Sequence, residues 1–299
     1  MFHLLKALGL FLALLLPSGA HALDVVATTE DVASIAREVL GKDGKVTTLA
    51  SSFQDPHFVD ARPSLLVPMS RADALVLVGL DLEVGWLPVL LTGARNNSIL
   101  MGAPGYIDAS QFIQPMDVPT TPVDRSQGDI HPRGNPHYLK DPYNAARVAR
   151  GLAQRFINLA PEKAEQFTAR AEAFAKLVEE KAKQWETRLA GLKGMGVVTY
   201  HRSLNYLARW LQLDMVGYVE PRPGVPPTPV HVVQLISLSR ARKVKLFLIE
   251  GWFPSATAQV VAEKAGGKLT VLPGLPKPDQ SYVDHMEEVV STLEKAAGK

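Results

Sequence analysis

The 299-residue chain contains no cysteine. Disulfides, thiolate metal sites and cysteine nucleophiles are therefore excluded together. A cysteine-linked lipid is excluded by the same count. The chain also lacks an excess of either charge: 32 Lys+Arg against 30 Asp+Glu give a formal net charge of +2. No electrostatic footprint for nucleic acid is present. Beyond the first residues, no stretch is apolar and long enough to span a bilayer, which takes about 20 residues.

What is there begins with a leader. Lys6 precedes an apolar run from Ala7 to Leu16, followed by Pro17-Ser18-Gly19-Ala20-His21-Ala22. A basic start, a short apolar stretch and a small-x-small site are the marks of a cleavable secretory signal over residues 1–22. The mature chain is expected to begin at Leu23, and without a lipid anchor it should lie free in a periplasm. Hydrophobic residues make up 46% of the chain, ample for packed cores.

The mature sequence alternates short β-branched runs with helical stretches. Strands are expected at 23–28, 45–50, 74–78 and 98–101, with helices at 30–40, 63–71 and 82–95 between them. Ala74-Leu75-Val76-Leu77-Val78 is apolar without alternation, which suits a parallel sheet buried on both faces. Residues 103–136, rich in Pro, Gly, Asp and Thr, read as a long mobile loop. A helical region follows from Asp141-Pro142, and Pro161 fits the first turn of its second helix. Phe167, Ala171, Phe174, Val178, Trp185 and Leu189 recur at helical spacing, predicting one long helix over 161–190. Strands and helices then alternate again to the C-terminus. The expected fold is α/β: two lobes, 23–160 and 191–299, each with a parallel-type sheet flanked by helices, joined by the long backbone helix.

Several polar residues fall where strands end. His57 follows the second strand, His137 closes the long loop, and His201 directly follows the strand 196–200. Glu250 follows the strand 244–249, and Asp279 follows the last strand after a Pro-rich turn. Open α/β sheets bind ligands outside the carboxyl ends of their strands, so these residues would share a cleft. Imidazole and carboxylate together suit a transition ion, with three nitrogens and one oxygen fitting tetrahedral zinc. No local spacing motif ties them together, and a lone histidine after a strand is more often a hydrogen-bonded loop residue.

Ser51-Ser52-Phe53-Gln54-Asp55-Pro56-His57, Ala72-Asp73 and Gly79-Leu80-Asp81-Leu82-Glu83 resemble the first lobe of the periplasmic zinc- and manganese-binding proteins of ABC importers. Gly134-Asn135-Pro136-His137-Tyr138, Tyr200-His201 with Leu204-Asn205-Tyr206, and Pro223 to Pro229 are similar to later segments of that family. The resemblance covers the whole mature chain. It implies metal ligands at His57, His137 and His201, with Asp279 as the fourth, Gln280 as a one-residue alternative and Glu250 in reserve. It implies zinc, with manganese or iron as the alternative, a monomer that turns nothing over, and an ABC permease in the inner membrane as partner. A periplasmic metallochaperone is a further partner of that reading. Many zinc-specific relatives carry a His-rich loop. Residues 103–136 hold only His131, which is expected to be solvated, as are His231 and His285. The tryptophans Trp86, Trp185, Trp210 and Trp252 read as packing. A zinc hydrolase, with an open coordination position, is the alternative from another class.

Overall fold

The computed structural model describes residues 22–123, 128 and 130–298. Apart from Ala22, the expected leader lies outside these residues. In the N-terminal lobe, β1 (Leu23–Ala27), β2 (Gly44–Thr48), β3 (Ala74–Leu77) and β4 (Tyr106–Asp108) form a parallel sheet in the order β2-β1-β3-β4. In the C-terminal lobe, β5 (Gly196–Thr199), β6 (Asp214–Tyr218), β7 (Leu246–Glu250) and β8 (Lys268–Leu272) repeat the pattern as β6-β5-β7-β8, again parallel. Each sheet order reverses direction next to its first strand, and loops from the strands' carboxyl ends diverge there to leave a crevice.

Both faces of each sheet are covered, which explains the apolar runs without alternation. On β1 and β3, Val25, Ala27, Ala74 and Val76 point toward the centre of the molecule, while Val26, Leu75 and Leu77 join an outer cluster. On β5 and β7, Val197, Leu246 and Leu248 point inward, and Val198, Phe247 and Ile249 outward.

The lobes are joined by α4 (Pro142–Leu159) and the 25-residue α5 (Ala164–Arg188). At 1.5 Å per residue α5 is about 37 Å long. Its residues Phe167, Phe174, Val178 and Trp185 are buried against α1 (Glu30–Leu40), α4 and α9 (Tyr282–Ala296). The inner core therefore runs without a break from one lobe to the other. Among the described residues, no helix is long and apolar enough to cross a membrane.

Three local expectations change. Residues 98–101 are not a strand: Asn97–Ile99 is a 3-10 turn, capped by the Asn96 side chain accepting the Ser98 N–H. The fourth strand is instead β4, inside the stretch that reads as loop, and three residues are too few to show a period. The helix expected over 82–95 is confined to α3 (Leu87–Ala94). Leu80 and Asp81 adopt left-handed φ of 52° and 65°. The buried Glu83 carboxylate accepts the N–H groups of Val78 (2.7 Å) and Gly79 (3.1 Å) and the Thr28 hydroxyl (2.7 Å), so 79–86 is a folded loop. Burial outweighs these hydrogen bonds and raises the Glu83 pKa to about 7. The helix expected over 63–71 is a 3-10 turn, Pro63–Leu65, running into the short α2 (Leu66–Met69).

Candidate metal centre

Two of the three expected histidine ligands arise from the same local turn. In Asp55-Pro56-His57 and Asn135-Pro136-His137, the side-chain oxygen of the first residue accepts the backbone N–H of the histidine, at 3.0 Å in both cases. An Asx side chain bonding two residues on tightens the chain locally, and the intervening proline fixes its φ. His201 is delivered differently, directly after β5, where its strand ends.

The fold brings the three together. Ligand-capable ring nitrogens of His57, His137 and His201 all lie within 4.8 Å of one another. The ring centroids are 5.2 to 5.4 Å apart. His57 Nδ1 lies 2.6 Å from Asp55 Oδ1, and His201 Nδ1 lies 2.8 Å from Glu220 Oε2. Each carboxylate holds the proton on Nδ1 and leaves the Nε2 lone pair as the acceptor or ligand site. Among the described residues, His137 Nε2 is buried and has no hydrogen-bond partner. An orphaned imidazole nitrogen aimed at two others fits a metal ion, which would satisfy all three.

His131, expected to be solvated, lies against this cluster on the His57 side, outside the mutual 4.8 Å of the three. Its Nε2 is 3.2 Å from His57 Nε2, and the two rings are 5.2 Å apart. Its segment is tied down by an Arg133–Asp81 ion pair of 2.8 Å. Burial, then the neighbouring charges of His57 and His201, depress the His131 pKa to about 3, against weaker upward pulls from the charge of Asp81 and a hydrogen bond to the Leu80 backbone. Burial and the same histidines hold His137 well below the usual imidazole range. Both rings are neutral near pH 7, the form a metal needs. Asp55 is pushed up by burial, but the hydrogen bond and charge of His57 pull it lower still.

Asp279 does not join the histidines. Its carboxylate is 93% exposed and lies 4.0 Å from the Arg37 guanidinium, while its backbone N–H donates to Glu30 Oε1 at 3.1 Å. Contacts with α1 thus hold this loop at the helix rather than in the cleft. Gln280 is used locally, accepting the Lys277 N–H at 2.9 Å and donating to Glu288 at 3.0 Å. Glu250, the last residue of β7, is nearer. One oxygen accepts from Ser203 Oγ at 2.8 Å, and the other is buried and unpartnered among the described residues. It shares a cavity of about 20 Å³, room for a single water, with His137, Lys140 and Asp31. Burial raises the Glu250 pKa, and the charge of Lys140 is the largest opposing influence.

A brace across the lobes sets the spacing of the histidines. Asn135 Nδ2 donates to Asp117 Oδ2 and to the Arg202 carbonyl, both at 2.9 Å. Tyr206 donates to the Asn135 carbonyl at 3.0 Å and accepts the Met116 N–H at 2.8 Å. Asp55, His131, Asn135 and Glu220 are functional residues that sequence reasoning left without a role. Asp55 and Asn135 could have been found from the repeated Asx-Pro-His, whereas nothing local marks Glu220. The remaining histidines differ from each other. His231 is half-buried and bonds the Tyr218 carbonyl at 2.9 Å. His285, expected to be solvated, is only 3% exposed, and burial holds its pKa well below the usual range.

A family model described as zinc-uptake complex component A, periplasmic, matches residues 25–296. The zinc-binding protein AdcA of Streptococcus pyogenes serotype M3 is 23% identical over 286 residues and covers 90% of this chain. The chain spans only 55% of that relative's length. The high-affinity zinc uptake system protein ZnuA of Bacillus subtilis is 21% identical, over 92% of this chain and 88% of its own. Among solved structures, a crystal structure of ZnuA superposes with a TM-score of 0.77 at 22% identity, over 92% of this chain and 99% of that one. That likeness is one of fold.

Proposed function

This chain belongs to the family of periplasmic zinc-uptake components, and from that premise we propose that it captures a transition-metal ion, zinc first, in the cleft between its lobes and delivers it to a membrane ABC permease. The observation that carries the proposal is the convergence of His57, His137 and His201 from both lobes to within 4.8 Å. The ion is cargo. It binds through Nε2 of these three residues, and His131 supplies the fourth nitrogen in place of Asp279.

A set of imidazole nitrogens favours zinc over manganese, which prefers carboxylate oxygen. A fourth protein ligand also distinguishes storage and transfer from hydrolysis, because catalytic zinc keeps a position open for water. The chain accordingly acts as a binding protein. Asp55 and Glu220 orient the rings and offset the charge of the ion. The working form is a monomer in the periplasm, exported by a leader that ends at Ala22, with a periplasmic metallochaperone as a further partner. Its functional units are the lobes 23–160 and 191–299 about the helix 161–190.

Elemental analysis of protein purified from the periplasm, together with zinc titration against a competing chelator, tests the reading. One equivalent of zinc bound tightly, and lost in His57→Ala, His137→Ala and His201→Ala, is the expected result. A metal-free protein that takes up no zinc on titration would sink it.

A further inference from the structure

We propose that the pocket beside the histidines docks a small carboxylate chelator that carries the metal in, and that Arg202 and Arg222 receive its carboxylates. The inference rests on the metal-capture reading and adds the form in which the cargo arrives.

The lobes leave a solvent-open cavity of about 380 Å³ against the centre. His137 and His201 line its inner end, and Asp117, Asn135, Arg202 and Arg222 line its walls. That volume is within the range of small-ligand pockets, roughly 300–1,000 Å³. Both arginines are exposed, and neither guanidinium meets a carboxylate among the described residues. Arg202 lies over the Tyr218 ring, 4.9 Å from its centroid, which orients the guanidinium plane without using its donors.

The wall's own carboxylate does not serve these arginines. Asp117 Oδ2 accepts from the side-chain amides of Asn135 (2.9 Å) and Asn205 (2.5 Å). Glu220 is likewise engaged with His201 at 2.8 Å. A divalent ion on neutral imidazoles keeps its double positive charge, which Asp55 and Glu220 balance from behind. Two guanidiniums at the mouth, with Asp117 the carboxylate among the described residues that line it, disfavour a bare cation on that side of the site. An anionic chelate turns this repulsion into attraction, and guanidinium is built to grip carboxylate with two parallel hydrogen bonds. Transfer is an exchange of coordination bonds: metal–oxygen bonds to the chelator break as metal–nitrogen bonds to the imidazoles form. The chelator leaves as the carboxylate it arrived as.

The test uses citrate as probe and the full mature chain loaded with zinc, in a non-coordinating buffer. Calorimetric titration should show saturable citrate binding, weakened about tenfold or more in Arg222→Gln and further in the Arg202→Gln/Arg222→Gln double variant. Arg222→Lys should recover part of the loss. Arg222→Gln alone should keep the wild-type zinc affinity when no chelator is present, but load more slowly from zinc citrate. No citrate binding to the loaded wild type, equal binding by the variants, or equal binding of sulfate would overturn the docking site. Failure of the wild type to bind zinc in chelator-free buffer would instead overturn the capture reading.

Discussion

Nε2 of His131 and Nε2 of His57 face each other at 3.2 Å. In the metal-free protein an N–H on one neutral ring can hydrogen-bond the other at that distance, and a metal ion would take the place of that proton. His131→Ala should therefore weaken zinc binding by about 10- to 1,000-fold, each factor of ten being about 1.4 kcal/mol. Asp279→Ala should leave the affinity unchanged, because its exposed carboxylate sits by Arg37. Chelator competition on both variants checks this; the opposite ranking would return the fourth position to Asp279.

The carboxylates behind the rings should matter nearly as much as a ligand. Asp55→Asn and Glu220→Gln keep the shape but lose the charge that fixes the Nδ1 proton of His57 and His201. Each should cost about 10- to 100-fold in zinc affinity. Unchanged affinity in both would mean that ring orientation is set by packing alone.

The metal-free protein should lose stability as pH falls. His131, His137 and His285 have folded-state pKa values below the usual 6.5, so below that pH the unfolded chain binds protons that the folded chain refuses. The slope is about 1.4 kcal/mol per pH unit for each such histidine. Asp31, Glu38, Glu250 and, most of all, Glu83 act in the opposite direction, their carboxyl pKa values being raised by burial. The folded pKa of Glu83, about 7, exceeds its unfolded value, so it withdraws stability as pH rises toward 7 and none below its unfolded value. Thermal melts of apo protein from pH 7 to 4 should show a falling Tm, and zinc should raise the Tm at pH 7 by mass action. A flat apo profile would contradict the burial argument.

One inner core shared by both lobes should give one unfolding transition and little hinge motion. Trp185 sits at the junction, wholly buried, with its indole N–H donating to Glu287 at 2.8 Å and its ring 6.2 Å from Trp210. Trp185→Ala should cost about 3–5 kcal/mol and lower the Tm of both lobes together. Calorimetry that resolves two transitions, or scattering curves that differ widely between apo and zinc-loaded protein, would count against a single rigid frame.

The strand-helix alternation, the long helix ending near residue 188 and the carboxyl-end positions of His57, His137 and His201 were legible because each depends on local chemistry. β-branched apolar runs make buried parallel strands, and helical spacing in Phe167, Phe174, Val178 and Trp185 makes α5. Where the pattern was too short to show a period, as at Tyr106–Asp108, the sequence was silent.

Tertiary structure alone decided what the polar side chains meet. His131 and His285 look alike in sequence, each a lone histidine outside any local spacing motif. One is drawn to His57 by the Asp81–Arg133 ion pair, and the other is buried on α9. Asp279 lies in the right loop, yet Glu30 and Arg37, some 240 residues away in the chain, hold it outside the cleft. Glu220 reaches His201 only because β6 pairs beside β5. Composition and periodicity report which face a residue turns to the core, since that depends on its own neighbours in the chain. Which charge or lone pair it then finds depends on loops that converge from both lobes, and that was settled by the packing of the two sheets about α5.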